Sequence, residues 1–272
     1  QNNLLIEKYK KKIKNNKPDF SDKTLRVFIP ACRETVVMQY TSKNITQSFK
    51  KLGYKVKFHI QKSSMESCSA LANLKALYKF NPHITVSINH LNNEYINKGV
   101  YNFVWFQDYM TIFKDSKKIK LRKKDFLFTI FRDMKDKLNN KGVKNRQIKV
   151  QNFCINTKIY KVRKQISRDS KIVFIGSSYK TSFENVSIPQ EMKLKILKEV
   201  LELYVTVGPI SEKKKIEFCT KYDIKDSYNL GHIINYIERD MTIKKIIKFN
   251  PSLKFELYGY GWDTDEDLKF YN

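Results

Sequence analysis

Glycine is scarce in this chain, 8 in 272 residues, and proline scarcer, with 6. Collagen-like repeats and low-complexity disorder need these residues in bulk, and a loop-rich all-β scaffold draws on them for its turns, so all three classes are disfavoured. The four cysteines, Cys32, Cys68, Cys154 and Cys219, are widely spaced without a C-x-x-C pair. Such spacing builds neither a zinc cage nor a dense disulfide framework, and it suits a reducing compartment. No run reaches the roughly 18 apolar residues of a membrane span, and the first residues lack the basic-then-apolar order of a signal peptide. The expected location is the cytoplasm, with peripheral contact at the inner, anionic face of the membrane compatible with the charge. Also missing are G-x-G-x-x-G, G-x-x-x-x-G-K-[ST] and G-x-S-x-G, which sets aside dehydrogenase, P-loop NTPase and serine-hydrolase readings. No histidine pair or Cys/His cluster supplies a metal site. The chain begins at Gln1 rather than Met, and a strand-loop motif lies close to Asn272, so both ends read as cut.

Acidic residues are in short supply too: 27 Asp+Glu face 53 Lys+Arg, a formal charge of +26. A field of that size attracts phosphates, anionic lipid or nucleic acid. Lysine dominates it, in runs such as Lys10-Lys11-Lys12, Lys117-Lys118 and Lys213-Lys214-Lys215, without arginine-aromatic interleaving. Solvated lysine faces are therefore the plainer reading, and nucleic acid is not the expected partner. What the chain has in quantity is core material, 41% hydrophobic and 13% aromatic, enough for one large α/β domain or two modest ones.

Residues 1–24 read as a leader helix, from Leu4 to Ile13, with a connector through Pro18. From Leu25 short apolar runs alternate with helical periodicity: strands at 25–30, 54–60, 83–88, 101–106, 126–130 and 148–150, helices at 36–52, 66–80 and 133–141. Gly53, Asn81-Pro82 and Gly142 supply the helix stops. This alternation predicts a mostly parallel sheet covered by helices on both faces. A polar, basic stretch over 156–170 reads as a crossing, after which a strand at 171–175 restarts the pattern. Three helical segments, 189–204, 211–222 and 231–249, and a strand at 254–258 follow. The expected architecture is two Rossmann-like doubly wound domains, 25–156 and 157–272, the second with fewer strands than a complete one.

Ligands of parallel α/β sheets lie beyond the carboxyl ends of the strands, so the residues after each strand are the candidates. After the first come Arg33 and Glu34, a cation and a carboxylate at a helix entrance that also suit simple capping. After the third lies His90, a second-choice base. After the fourth, Trp105-Phe106-Gln107-Asp108 ends on a carboxylate able to act as general base toward an acceptor hydroxyl; a turn aspartate over core aromatics is the alternative. Gly176-Ser177-Ser178-Tyr179-Lys180 offers a small-residue turn with hydroxyls and an ammonium where backbone could approach a pyrophosphate. Leu257-Tyr258-Gly259-Tyr260-Gly261-Trp262 follows the last strand with aromatics that could border a nucleobase. Asp263-Thr264-Asp265 has the D-x-D form of metal-dependent transferases, but within a five-residue acidic string it suits the first turn of a helix better.

Read in order, Trp105-Phe106-Gln107-Asp108, Asp125-Phe126-Leu127-Phe128-Thr129, Gly142-Val143, Ile172-Val173-Phe174-Ile175-Gly176 and Leu257-Tyr258-Gly259-Tyr260-Gly261-Trp262 resemble bacterial group 1 glycosyltransferases of the spore-maturation-protein-like branch. The resemblance spans about residues 25–270. It implies a GT-B fold in which an acceptor-side domain and a donor-side domain hold a nucleotide sugar in the cleft between them, with no metal and no cofactor beyond that substrate. Gly176, Ser177 and Ser178 would then approach the donor phosphates and Tyr258, Gly259, Gly261 and Trp262 would lie near the nucleoside, while Lys180 and Arg33 are donor-binding candidates from their strand-end positions alone. Asp108 would face the acceptor, a glycan, lipid-linked saccharide or protein, as the catalytic candidate the resemblance carries, while Glu34 and His90 are catalytic candidates from their strand-end positions alone. Such enzymes add further strands and an acidic helix after the glycine-tryptophan string, and the interval 189–249 is longer than that position calls for. A non-catalytic basic binding module is the competing expectation.

Overall fold

Five-residue runs of β-branched and aromatic side chains, spaced by helix-length intervals, can satisfy their backbone groups in a parallel ladder whose crossovers carry helices onto the faces. In the computed structural model, which describes residues 2–33, 36–63, 66, 69–114, 117–157, 159–161, 170–225 and 227–271, the chain forms two units, Gln1–Val162 and Arg163–Asn272.

The first unit runs α1 (Asn2–Asn15), β1 (Arg26–Pro30), α2 (Val36–Lys51), β2 (Lys55–His59), α3 (Ala70–Phe80), β3 (Ile84–Ile88), β4 (Tyr101–Phe106), α4 (Thr111–Lys114), β5 (Asp125–Thr129), α5 (Arg132–Asn140) and β6 (Ile148–Val150). The sheet has six strands in the order β2-β1-β3-β4-β5-β6, and every pairing is parallel. The expected α/β class and parallel sheet are present. Alternation along β1 sends Val27 and Ile29 to the face covered by Ile45 and Phe49 of α2, and Phe28 to the face covered by Leu74 and Leu77 of α3. The register carries Val104, Phe106 and Leu127 to the α3 side, where Met134 and Leu138 of α5 bury them.

Coverage of the other face departs from expectation. Exposed Tyr101 and half-buried Phe103, Trp105, Phe126 and Phe128 share the α2 side, and their rings pack on one another, Phe103 tilted against Phe126 at 5.6 Å and against Phe128 at 6.2 Å. The opening helix also differs from a leader that precedes the fold. Ile13 is buried with Phe28, Leu74 and Leu77, Asn97 donates to the Lys14 carbonyl at 2.6 Å, and Phe20 meets buried His83 at 4.9 Å. Helix α3 starts four residues later than its periodicity suggests, because the Ser69 hydroxyl accepts from Ala72 N–H at 3.3 Å and sets the N-cap there.

Asp125 is the buried polar post of this unit. It accepts from the Arg122 guanidinium at 2.6 and 2.9 Å, from Arg122 N–H at 2.6 Å, from Asn93 at 2.9 Å and from Asn102 at 3.3 Å. Arg122 in turn donates to the carbonyls of Ile96 and Asn97, so one carboxylate fixes the starts of β4 and β5 and the loop before them.

The second unit runs β7 (Lys171–Ile175), α6 (Lys180–Glu184), α7 (Gln190–Val207), α8 (Glu212–Lys221), α9 (Ser227–Tyr236), a π-helical turn (Ile237–Met241), α10 (Thr242–Phe249) and β8 (Lys254–Tyr258). Strands β7 and β8 pair in parallel as a two-stranded sheet. Its helices bury Ile196, Val200, Leu230, Ile233 and Ile237 among themselves, while Trp262, Leu257, Phe255, Ile243 and Leu268 form a separate core on the sheet. The strand expected at 171–175 is present as β7, but Ile172, Val173 and Ile175 are exposed. The acidic string 263–267, expected to open a helix, lies in turns.

Replacing Asp125 by Ala leaves Arg122 without its charge partner in a desolvated setting. The expected loss is about 3 kcal/mol of stability in the first unit, read as a shift of the urea midpoint.

Candidate functional site

In the order β2-β1-β3 the chain reverses its direction of travel across the sheet at β1/β3, and the helices leaving β1 and β2 cross on opposite faces. The carboxyl ends of those two strands must therefore stand apart and leave a crevice. A cavity of about 530 Å³ lies there. It is lined by Pro30, Ala31 and Cys32 at the end of β1 and by Ser87, Ile88 and His90 at the end of β3, with Ser42 of α2, Asn73 of α3 and Lys10 of α1 also lining it.

Two asparagines with left-handed backbone bracket the histidine, Asn89 at φ 62° and Asn92 at φ 50°. Asparagine tolerates that conformation better than most residues but at a cost of order 1 kcal/mol, and such strain concentrates at functional sites. The Ser87 hydroxyl donates to the His90 carbonyl at 2.6 Å and holds the turn. His90 stays open to solvent through the cavity mouth, yet desolvation by the surrounding wall lowers its pKa below the ordinary 6.5. It is therefore mostly neutral at pH 7 and able to accept a proton.

The other candidates of this unit are placed differently. Asp108 is exposed and does not line the cavity; its carboxylate accepts from the Asn89 amide at 2.7 Å, while Asn89 Oδ1 accepts from the N–H groups of Gln107 and Asp108 at 2.7 and 3.2 Å. The aspartate thus helps hold the strained turn that presents His90. Arg33 donates to the Gln61 and Lys62 carbonyls at 2.7 and 3.4 Å, tying the end of β1 to the end of β2. Glu34 lies outside the described residues.

In the second unit the predicted loops do converge. Gly176 N–H donates to Tyr258 O at 2.7 Å and Ser178 N–H to Tyr260 O at 2.9 Å, so the parallel ladder continues past both strand ends. Gly259 sits at φ 145°, and a Cβ there would stand 2.4 Å from the Gly176 carbonyl oxygen; only glycine fits. Trp262 is fully buried, donates its indole N–H to that same carbonyl at 2.7 Å and packs edge-on to Phe174. It builds the loop and has no surface open to a ligand, whereas Tyr258 and Tyr260 are exposed.

Sequence reasoning missed the residues that organise this loop, Arg239 and Asp240, because they sit in the middle of a helix. The π-helical turn carries both: buried Asp240 accepts from the Ser178 hydroxyl and from Tyr179 N–H at 3.0 Å, and Arg239 donates to the Ser177 carbonyl at 2.9 Å. Three consecutive charges, Glu238-Arg239-Asp240, inside an isoleucine-rich stretch were the available signal. The Asp240 carboxylate thus fills the position over the turn that was expected for donor phosphate. Lys180 donates to Thr264 O at 2.6 Å, and buried Asp265 pairs with Lys244 at 2.8 Å while Asp263 is exposed. Among the described residues no group of His, Cys, Asp and Glu is arranged to hold a metal ion, and no helix is long and apolar enough to cross a membrane. No protein-family model, curated protein or solved structure matches the chain.

Desolvation raises the Asp240 pKa above the ordinary 3.8, against the lowering effect of Ser178 and Tyr179. A carboxyl raised in this way holds its proton better folded than unfolded, so the second unit should lose stability as pH climbs from 3.8 through the raised value. In a Trp105→Phe background, where Trp262 fluorescence reports this unit alone, urea midpoints measured across that window should carry the slope, and Asp240→Asn should remove it.

Proposed function

We propose that the chain is a metal-independent glycosyltransferase that moves a sugar from a nucleotide-sugar donor to a glycan, lipid-linked saccharide or protein acceptor. The observation that carries this reading is the delivery of a histidine, between two strained asparagines, into a cavity at the sheet's reversal point where Ser42, Asn73, Ser87 and Asn92 stand among apolar side chains such as Ile6, Met38 and Leu74. Hydroxyl and amide groups that both donate and accept complement a polyhydroxylated ligand, and a base in their midst has a hydroxyl proton to take. The family resemblance supplies the donor.

In this mechanism the acceptor hydroxyl sits in the first-unit cavity and gives its proton to His90. Its oxygen forms the new bond to the anomeric carbon as the bond from that carbon to the diphosphate oxygen breaks. The departing diphosphate carries the growing negative charge, which the lysine-rich field stabilises without a metal. Asp108 is assigned a positioning role through Asn89, in place of the base role its place in the sequence suggested. On the donor side, exposed Tyr258 and Tyr260 are the side chains free to stack on a base, while Gly259, Gly261 and Trp262 shape the loop and Lys180 braces it.

Thermal-shift measurements with UDP-, GDP-, CMP- and dTDP-sugars in EDTA test the donor claim: one nucleotide class should raise the melting temperature. No shift with any of them sinks the reading and favours a basic binding module, which would instead show steep salt dependence on generic DNA.

With the stabilising donor in hand, His90→Gln should leave the melting temperature within a degree or so and lower turnover by about 10²–10⁴-fold. The acid limb of the wild-type pH profile, set by a group titrating below 6.5, should vanish with it; an unchanged profile would remove His90 from the mechanism.

A further inference from the structure

The carboxyl edge of the first sheet holds the cavity around His90. A second cavity, of about 610 Å³, opens among residues that precede strands: Lys14 and Lys17 ahead of β1, Asn93, Glu94, Ile96, Asn97 and Lys98 ahead of β4, and Lys120 and Arg122 ahead of β5. In a parallel sheet these belong to the amino edge, so the two cavities lie at opposite ends of the strands.

The second cavity concentrates charge of one sign. Lys14, Lys17, Lys98 and Lys120 all line it, against the single carboxylate of Glu94. The Arg122 guanidinium is turned onto buried Asp125 and backbone carbonyls and belongs to the floor. Among the described residues none of the four lysines is paired with a carboxylate in a salt bridge, and all four are exposed.

The backbone that bears these lysines is built rather than loose. The buried Asn97 side chain donates to Lys14 O at 2.6 Å and accepts from Gly99 N–H at 2.8 Å. Buried Asn93 donates to Lys120 O at 2.9 Å and, through the same amide nitrogen, to Asp125 at 2.9 Å. Arg122 donates to Ile96 O and Asn97 O at 2.9 and 2.6 Å. Three segments distant in sequence are thereby locked side by side, each presenting ammonium groups to one concavity. Mutual repulsion of like charges opposes that arrangement unless an anion shares it, and the fixed backbone reduces the ordering cost of binding one.

We propose that this amino-edge cavity is a binding site for a phosphate-bearing anion with at least two negative charges. Lysine ammoniums approaching from several directions suit the tetrahedral oxygens of phosphate, each as a point charge. The site is independent of the transferase reading, since it shares no lining residue with the His90 cavity. The ligand is either a soluble polyphosphate or the headgroup of an anionic lipid, and the same chemistry holds both.

The test compares the full chain with Lys98→Glu/Lys120→Glu and with Lys225→Glu/Lys248→Glu, which makes the same change of charge at exposed lysines of the second unit. Two probes are used in about 0.15 M salt, where charges more than roughly 8 Å apart are screened: inorganic pyrophosphate by calorimetry, and phosphatidylcholine vesicles with and without phosphatidylglycerol by sedimentation. Thermal melts establish that each variant is folded. The Lys98/Lys120 variant should bind at least one probe about tenfold more weakly, and the control variant less than about twofold. Weakened pyrophosphate binding identifies a soluble ligand, and an effect confined to phosphatidylglycerol vesicles identifies a lipid headgroup. Binding of neither probe by the unmodified chain, or equal weakening in the two variants, overturns the proposal.

Discussion

Parallel pairing of β1 with both β2 and β3 is the constraint from which the first unit follows. Parallel neighbours cannot be joined by a tight turn, so each connection must run back across a face, and a right-handed crossover places α2 and α3 on opposite faces once the chain changes direction. The crevice between the ends of β1 and β3 is therefore a result of topology. What the sequence adds is its lining and the strained Asn89-His90 turn. The hydrogen bonds that hold the turn, from Gln107 N–H at the end of β4 to Asn89 Oδ1 and from the Ser87 hydroxyl to the His90 carbonyl, use side chains at strand ends. A rigid sheet thus sets the position of a group on a loop, the arrangement that precise chemistry requires.

The second unit solves a harder problem with fewer strands. Two parallel strands alone are marginal in water, and β7 buries little of its own apolar surface. Its anchorage comes from beyond the strand ends. The ladder is continued by the loops, the Gly176 carbonyl is shared between Trp262 and the close approach of Gly259, and the π-helical turn reaches across to hold Ser177 to Tyr179 through Arg239 and Asp240. Inserting an extra residue into the helical turn swings those two side chains out of the apolar stripe and toward the loop. The desolvation that Asp240 bears is the cost of placing a carboxylate where it can bond Ser178 and a backbone N–H.

Strands and most helices were legible because their signals are local: period-two apolar runs, and stops at Gly53, Asn81 and Gly142, all three of which adopt positive φ. The carboxyl-edge rule likewise located the His90 region and brought Gly176 to Lys180 beside Tyr258 to Trp262. Roles were not legible, because a role depends on where a side chain's bonding capacity is consumed. Asp108 and Arg33 read as chemistry in the sequence, but their partners are Asn89 and the carbonyls of Gln61 and Lys62. Trp262 read as a ligand contact and is a core residue. Asp240 read as nothing, since a helix gives no local sign of the loop its side chain will meet. Partial coverage of the aromatic face of β4 and β5 was equally hidden, because periodicity cannot say which strands a helix will cover.

The scarcity of acidic residues acquires a structural meaning from where three of them sit. Asp125, Asp240 and Asp265 are buried, each holding a cation or a loop in place: Arg122 for the first, Ser178 and Tyr179 for the second, Lys244 for the third. Carboxylates used inside the fold are not available to pair with the surface, so lysines outside meet fewer partners than the overall count of charges suggests. In the first unit this acts at close range, because Asp125 satisfies Arg122 and thereby fixes the loops that gather four lysines around one glutamate. The positive field at the amino edge is in this sense a product of the buried network beneath it. The interaction that stabilises the sheet there also prepares the surface for an anion.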